Sequence, residues 1–212
     1  MIHLNLSVED FPNEFNWYND QFPPLDALTY WDFLKSAKKV IEVGCGYSSI
    51  LPYKANVELI CIDPNPRIIY PNITYIKEEV QKMPLSIFQE LNEGDILFID
   101  SSHTYKEGSD VHFLIHEVIP TLKDGVLIHF HDYFGLDGYP SDWREHHEMK
   151  HWNENDKLFE LEEEYNVIAC NYRASKIFQK ELKEQYSFVP TDITQNLGAV
   201  KGASIWFKIL PF

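Results

Sequence analysis

Val40-Ile41-Glu42-Val43-Gly44-Cys45-Gly46-Tyr47-Ser48-Ser49 is the stretch on which the reading of this chain turns. An apolar run ends in two glycines separated by one residue, the pattern of a buried strand that stops at a tight turn and hands over to a helix. Glycine suits that turn because it adopts dihedrals that a side chain blocks and lets a ligand approach the main chain. In doubly wound α/β folds, the turn at the carboxyl end of the first parallel strand is where a nucleotide-like ligand lies. A dinucleotide fingerprint would place a third glycine three residues after Gly46, where this chain has Ser49.

Working outward, nearly continuous runs rich in Ile, Val and Leu recur at 39–43, 57–62, 73–76, 95–99 and 125–130, and they read as buried parallel strands. Helical segments are expected near 47–54, 84–92 and 107–122, the last with Val111, Leu114, Ile115, Val118 and Ile119 at helical spacing and Pro120 near its end. A helix near 151–163, a strand at 165–170, a helix near 174–185, a loop through Pro190 and Gly202 and a strand at 204–210 complete the pattern. The class is α/β, a Rossmann-like doubly wound sheet. Residues 1–38 stand outside this alternation as an extension, and 39–212 form the main domain. The extension carries a helix around Asp26 to Ser36 and eight aromatic residues, including Phe22, Tyr30 and Trp31. It reads either as a lid over a substrate or as a packing arm, across the domain or against a second subunit in a homodimer.

Charge narrows the partners. With 33 acidic against 18 basic residues, the net charge of −15 repels nucleic acid and anionic membrane surfaces, which leaves a small molecule or a glycan. Cys45, Cys61 and Cys170 lack the paired spacing of a zinc site and are expected as reduced thiols. The sequence has neither a secretory pattern at its start nor an apolar run of membrane-spanning length, so a cytoplasmic location is expected.

A second acid refines the ligand. Asp63 ends the run Leu-Ile-Cys-Ile-Asp, where a carboxylate can accept hydrogen bonds from both hydroxyls of a ribose. An acid two residues before Gly44, the Gly-x-Gly loop and this second acid together resemble the class I S-adenosylmethionine-dependent methyltransferases. The resemblance covers about 39–152, and more loosely the last strands. It implies a seven-stranded sheet whose final strand is antiparallel to the rest. It also implies S-adenosylmethionine contacts from Glu42, Gly44, Cys45, Gly46, Tyr47, Ser48, Asp63, Pro64, Asp100 and Ser101, with Glu78, just after the third strand, receiving the adenine amino group.

The stretches Leu97 to Tyr105 and Leu127 to Tyr133 hold most of the remaining chemistry. Both are strand ends, so Asp100 and the pair His131-Asp132 are expected side by side. Three such groups could hold a divalent metal with open positions for a substrate. The spacing resembles the metal-dependent O-methyltransferases acting on catechols and sugars, which have an acid after the fourth strand and an Asp-Asp or Asp-Asn pair after the fifth. Asp100 and Asp132 match that pattern; His131 replaces the first acid of the pair and favours Zn, Fe, Ni or Mn over Mg.

His103 stands one residue beyond the position of the acid base in sugar-modifying relatives, and a neutral imidazole there could take the acceptor's proton. Without a metal, His103 and His131 lead as acid and base. His129 is expected as a hydrogen-bonded core residue, and His112 with His116 either as a helix-face metal clamp or as a solvated pair. His146, His147 and His151 fall in a polar stretch with little signal. Tyr133, Phe134, Tyr139, Trp143 and Trp152 could wall a sugar ring or planar acceptor, or merely anchor a loop. The function expected is O-methylation of a small molecule or glycan. A metal-dependent hydrolase or oxygenase built on His129, His131 and Asp132, and a non-catalytic binder of S-adenosylmethionine, are the alternatives.

Overall fold

The computed structural model describes residues 6–19, 21–147, 149–190 and 199–211. Part of the expected loop between Pro190 and Gly202, residues 191–198, lies outside them. The strands are β1 (Lys39–Val43), β2 (Glu58–Ile62), β3 (Thr74–Ile76), β4 (Ile96–Ile99), β5 (Leu127–His131), β6 (Asn166–Cys170) and β7 (Ser204–Lys208). They form one seven-stranded sheet in the order β3-β2-β1-β4-β5-β7-β6. β7 inserts antiparallel between β5 and β6, and the strands from β3 to β5 pair in parallel. This is the mixed Rossmann-like sheet expected. The chain runs outward from β1 through β2 to β3, then returns to β4 on the other side of β1, which opens a crevice above the β1 and β4 ends. Register aligns that rim, because Val43 sits opposite both Ile62 and Ile99.

Period two sorts the sheet's side chains between two cores. Ile41, Val43, Leu97, Ile99, Ile128 and Phe130 face one side, against Val111, Leu114 and Val118. Val40, Leu59, Cys61, Phe98 and Trp206 face the other, against Phe22, Tyr30, Trp31 and Leu34 of the amino-terminal segment. That segment therefore supplies one whole layer of the domain through α1 (Pro24–Leu34). The helix begins two residues earlier than expected because Pro24 occupies its first turn, where a fixed φ and a missing N–H suit helix initiation.

Other helices depart from the sequence pattern for local reasons. The segment near 84–92 is a 3-10 helix, Leu85–Glu90, separated from a 3-10 turn at Val80–Lys82 by Pro84, which holds Met83 extended. After α2 (Ile50–Lys54), the helix over 110–121 begins as α3 (Asp110–Phe113), capped by the Ser109 hydroxyl. It widens into a π-turn at Leu114–Val118 and ends 3-10 ahead of Leu122, with Pro120 unable to donate to the ladder. α4 (Ser141–Glu145) and α5 (Glu154–Glu164) follow β5, and the helix expected at 174–185 divides at Phe178 into α6 (Asn171–Ile177) and α7 (Gln179–Gln185). Among the described residues no helix is long and apolar enough to cross a membrane.

A buried polar knot ties the amino-terminal layer down. The Asp26 carboxylate accepts hydrogen bonds from Ala203 N at 2.8 Å, Asn171 Nδ2 at 2.8 Å and the Ser204 hydroxyl. Thr29 donates in turn to Asn171 Oδ1 at 3.0 Å. Asp26→Ala strands these donors where water does not reach, at about 1–3 kcal/mol each. Urea denaturation is expected to show a loss of at least about 3 kcal/mol.

Candidate active site

The turn after β1 is built on one close approach. Gly44 has φ +83°, and a Cβ added there would lie 1.7 Å from the Asp100 carbonyl oxygen. Asp100 N donates to Val43 O at 2.9 Å and Gly44 N to Ile62 O at 3.1 Å, so the ends of β1, β2 and β4 are locked together. Gly46 differs: a Cβ there would meet nothing within 4 Å, and its bare backbone opens onto the crevice. Asp63 accepts from Cys45 N at 2.9 Å and from Asn65 N at 2.7 Å, which points its carboxylate across the turn.

The crevice is a cavity of about 760 Å³. Gly44, Cys45, Gly46, Tyr47, Ser48, Asp63, Pro64, Asp100 and Ser101 all line it, as expected of cofactor contacts. Two expected contacts do not. Glu78 is exposed and ion-paired with Lys82 at 2.8 Å, whereas Glu79, Val80 and Gln81 border the cavity, where the chain leaving β3 enters a 3-10 turn. Glu42 is fully buried beneath the turn, accepting from Ser49 Oγ at 2.5 Å and Tyr30 OH at 3.0 Å. Its position on β1 aims it at the amino-terminal layer, so it braces the loop from below. Burial pushes its carboxyl up to about 7, against the pull of those two hydroxyls.

The chemistry gathers at the β4 and β5 ends. His103 and Asp132 both adopt left-handed backbone, with φ of 55° and 54°. Such conformations cost energy and cluster at functional sites. The buried His103 ring is fixed from three sides. Its Nδ1 lies 2.5 Å from Glu154 Oε1, and its Nε2 lies 3.3 Å from Asp100 Oδ1 and 3.5 Å from Asp132 Oδ2. Asn153 N and Glu154 N both donate to the His103 carbonyl, stitching the start of α5 to this loop. The ring also packs on Trp152 at 4.2 Å.

These contacts set the proton inventory. Burial opposes charge on His103, but Glu154, Asp100 and Asp132 outweigh it and hold the imidazole well above its ordinary value. Asp100 is drawn down to about 2: burial raises it, but His131 and His103 overcome that effect. Asp132 is pushed up to about 6 by burial despite the same two histidines. That direction favours the protonated ring and runs against the expectation of a neutral base at His103. Of the two carboxylates beside His103 Nε2, Asp132 lies nearer neutrality.

The expected metal set also changes. Donor atoms of Asp100, His103 and Asp132 converge within 4.8 Å of one another, and His103 thus takes the place foreseen for His131. His131 lies on the sheet face covered by α1. Its Nε2 donates to Gln21 O at 3.1 Å, Phe22 packs on it at 5.1 Å, and its Nδ1 faces Asp26 at 4.0 Å. It lines the cavity, but as a link between the extension and Asp132, which is 3.4 Å away. Burial lowers its proton affinity, but Asp132, Asp100 and Asp26 raise it further.

His129 is a core residue, though not a satisfied one: it stacks on Phe98 at 4.0 Å, and neither ring nitrogen has a hydrogen-bond partner. Burial drives its proton affinity well below the ordinary value, and its depth leaves no centre built on His129, His131 and Asp132. His116 accepts or shares a proton with Tyr105 OH at 2.9 Å beside His112, and no third ligand joins them among the described residues. Of the aromatic wall, Phe134, Tyr139, Trp143 and Trp152 pack edge on face into one cluster. Tyr133 is instead buried, donating to Glu162. The cysteines are unbridged.

Sequence reasoning missed Glu154, Asp26 and Gln21. A glutamate in the first turn of a helix is ordinary, and nothing local ties it to a histidine 51 residues away.

A parallel sheet with this strand order, an inserted antiparallel strand and a glycine turn facing the acid at the end of β2 is the arrangement expected of the class I S-adenosylmethionine-dependent methyltransferases. Residues 41–133 match the family model described as a methyltransferase domain, and that segment contains β1, both glycines, Asp63, Asp100 and Asp132. That match supports a methyltransferase taking its methyl group from S-adenosylmethionine. No curated protein sequence matches it. Among solved structures, a Corynebacterium glutamicum protein aligns at 13% identity over 87% of this chain and 82% of its own, with a TM-score of 0.46. A Thermobifida fusca protein described as a candidate methyltransferase aligns at 9% identity over 90% and 85%, with a TM-score of 0.49.

Glu42 generates a pH prediction. Its folded carboxyl holds a proton more tightly than the unfolded chain, where the ordinary value is 4.5, so stability falls as pH rises from 4.5 through about 7. Glu42→Gln removes that loss, roughly 3 kcal/mol across the window. Urea midpoints at pH 5 and pH 8 are expected to lie closer together in the variant than in the parent protein.

Proposed function

We propose that the enzyme transfers the methyl group to a hydroxyl oxygen of a small molecule or glycan, by direct in-line displacement on the sulfonium. The observation that carries this reading is the trio Asp100, His103 and Asp132 beside the glycine turn, on the wall of the same cavity that Asp63 borders. Asp63 receives the ribose hydroxyls, and the bare backbone at Gly46 admits the cofactor. Asp132, poised at about 6, accepts the acceptor's proton; Asp100, drawn down to about 2, stays ionised, and the His103 ring bridges the two carboxylates in a fixed geometry. Glu154 fixes which ring nitrogen faces the cavity. Proximity and orientation supply most of the remaining acceleration.

The same trio fits a divalent metal. Two carboxylates and an imidazole converge within 4.8 Å, and the carboxylate on the far nitrogen of His103 is the usual outer partner of a metal-bound histidine. Asp100, Asp132 and His103 Nε2 would hold the ion, with Mn, Fe or Zn suiting the set better than Mg. A bound ion would make the acceptor hydroxyl more acidic.

Asp132→Asn keeps the shape but removes the proton acceptor. Turnover measured as radiolabelled methyl transfer is expected to fall by about 10²- to 10⁴-fold, while calorimetry finds S-adenosylhomocysteine affinity within a few-fold of the parent. Undiminished turnover removes Asp132 from the chemistry.

A further inference from the structure

Among the described residues, two sets of three donor side chains converge closely enough to hold a metal ion. One is the trio of Asp100, His103 and Asp132. The other is Glu42, Cys45 and Cys61, buried beneath the glycine turn, with donor atoms within 4.8 Å of one another. Nothing in the methyl-transfer reading uses these two thiols. Strand register builds the set: Glu42 stands opposite Cys61 across β1 and β2, and Cys61 Sγ lies 3.8 Å from Glu42 Oε2. The turn then brings Cys45 back over β1, with its Sγ 3.9 Å from the Glu42 carbonyl oxygen. Pairing of neighbouring strands joins the two cysteines, so no short sequence spacing announces them.

Around a tetrahedral zinc ion, bonds of about 2.3 Å to sulfur and about 2.0 Å to oxygen put the ligand atoms roughly 3.5–3.8 Å apart. The 3.8 Å between Cys61 Sγ and Glu42 Oε2 matches that spacing. The carboxylate is also oriented from outside the cluster. Tyr30 OH donates to its Oε1 at 3.0 Å and Ser49 Oγ to its Oε2 at 2.5 Å, the outer hydrogen bonding that fixes a metal-bound carboxylate. Oε2 keeps a second lone pair for an ion. Without an ion, protons hold the cluster together: Cys61 beside it, burial and the Glu42 carboxylate push the Cys45 thiol up, and burial pushes Glu42 up to about 7. A divalent cation displaces such protons and removes the repulsion among the three anions left behind. Two sulfur donors select a thiophilic ion over Mg or Ca. Cys45 lines the cofactor cavity, which gives the ion a way in.

We propose that Glu42, Cys45 and Cys61 form a metal site that takes a thiophilic divalent cation of the zinc class, with water as its fourth ligand, and that the ion pins the cofactor turn to β1 and β2. Cys45 N donates to the Asp63 carboxylate at 2.9 Å, so fixing Cys45 also fixes the acid at the end of β2. The site is separate from the Asp100, His103 and Asp132 trio, which offers no sulfur. It depends neither on the methyl acceptor nor on the transfer reaction.

Cobalt(II) reports sulfur ligation directly, because thiolates give it an intense ligand-to-metal charge-transfer band in the near ultraviolet. Titrated into the full-length protein, stripped of metal and kept reduced, cobalt is expected to raise that band to a plateau of about one thiolate-bound ion per chain. Zinc added afterwards is expected to bleach it. Cobalt held only by the trio raises no such band. Cys61→Ser is expected to lower the plateau at least about ten-fold, whereas Cys170→Ser, on the opposite face of the sheet, leaves it unchanged. If Cys61→Ser fails to fold, cadmium-113 resonance of the parent protein needs no variant and resolves the two sites separately; one signal in the range of two-sulfur coordination is expected. Absence of the charge-transfer band, a band that survives Cys61→Ser or falls in Cys170→Ser, or cadmium signals from oxygen and nitrogen sites alone overturns the proposal.

Discussion

The backbone of Gly44 lying against the carbonyl of Asp100 is the contact on which the rim of this sheet depends. Only a residue without a side chain permits it, since a Cβ would sit 1.7 Å from that oxygen. The contact brings the turn after β1 beside the end of β4, and the hydrogen bond from Cys45 N to Asp63 draws in the end of β2 at the same point. One glycine thus puts the carboxylates of Asp63 and Asp100 on the wall of a single cavity. Glu42 supports the arrangement from beneath through Ser49 and Tyr30, which is also how the amino-terminal layer reaches the site.

Electrostatics in the cavity follow from crowding unlike charges in a place with little water. Asp100, Asp132 and Glu154 surround one imidazole and together hold it well above its ordinary value. Asp100 and Asp132 belong to the same residue type yet lie on opposite sides of their ordinary value, at about 2 and about 6. Separation of that kind lets one carboxylate remain a fixed charge while its neighbour exchanges a proton near neutrality. The left-handed backbone at His103 and Asp132 is the conformational cost of facing both side chains into the same space.

Much of this was legible in the residues, and the rest was not, for physical reasons. Strands buried on both faces announce themselves as apolar runs, so β1, β2, β4 and β5 and the carboxylates at their ends could be placed from local pattern. The glycine turn carried the cofactor class for the same reason. Side-chain direction beyond a strand end is not local. Glu78 and Glu79 are equivalent in sequence, and the turn after β3 decides which one faces inward. His131 follows the period of β5 onto the face that α1 covers, so Gln21, Phe22 and Asp26 stand beside it along with Asp132. The bond between His103 and Glu154 joins segments that only the packing of α5 brings together. The same limit hid Asp26, whose partners Asn171, Ala203 and Ser204 lie near the far end of the chain.

The most direct test of the account is a crystal structure of the complex with S-adenosylhomocysteine. The account places the ribose hydroxyls on the Asp63 carboxylate, the main chain of the ligand along Gly44 to Gly46, and its sulfur directed toward Asp132. A ligand bound elsewhere, or one in this cavity with its ribose away from Asp63 and its sulfur facing away from Asp132, contradicts it.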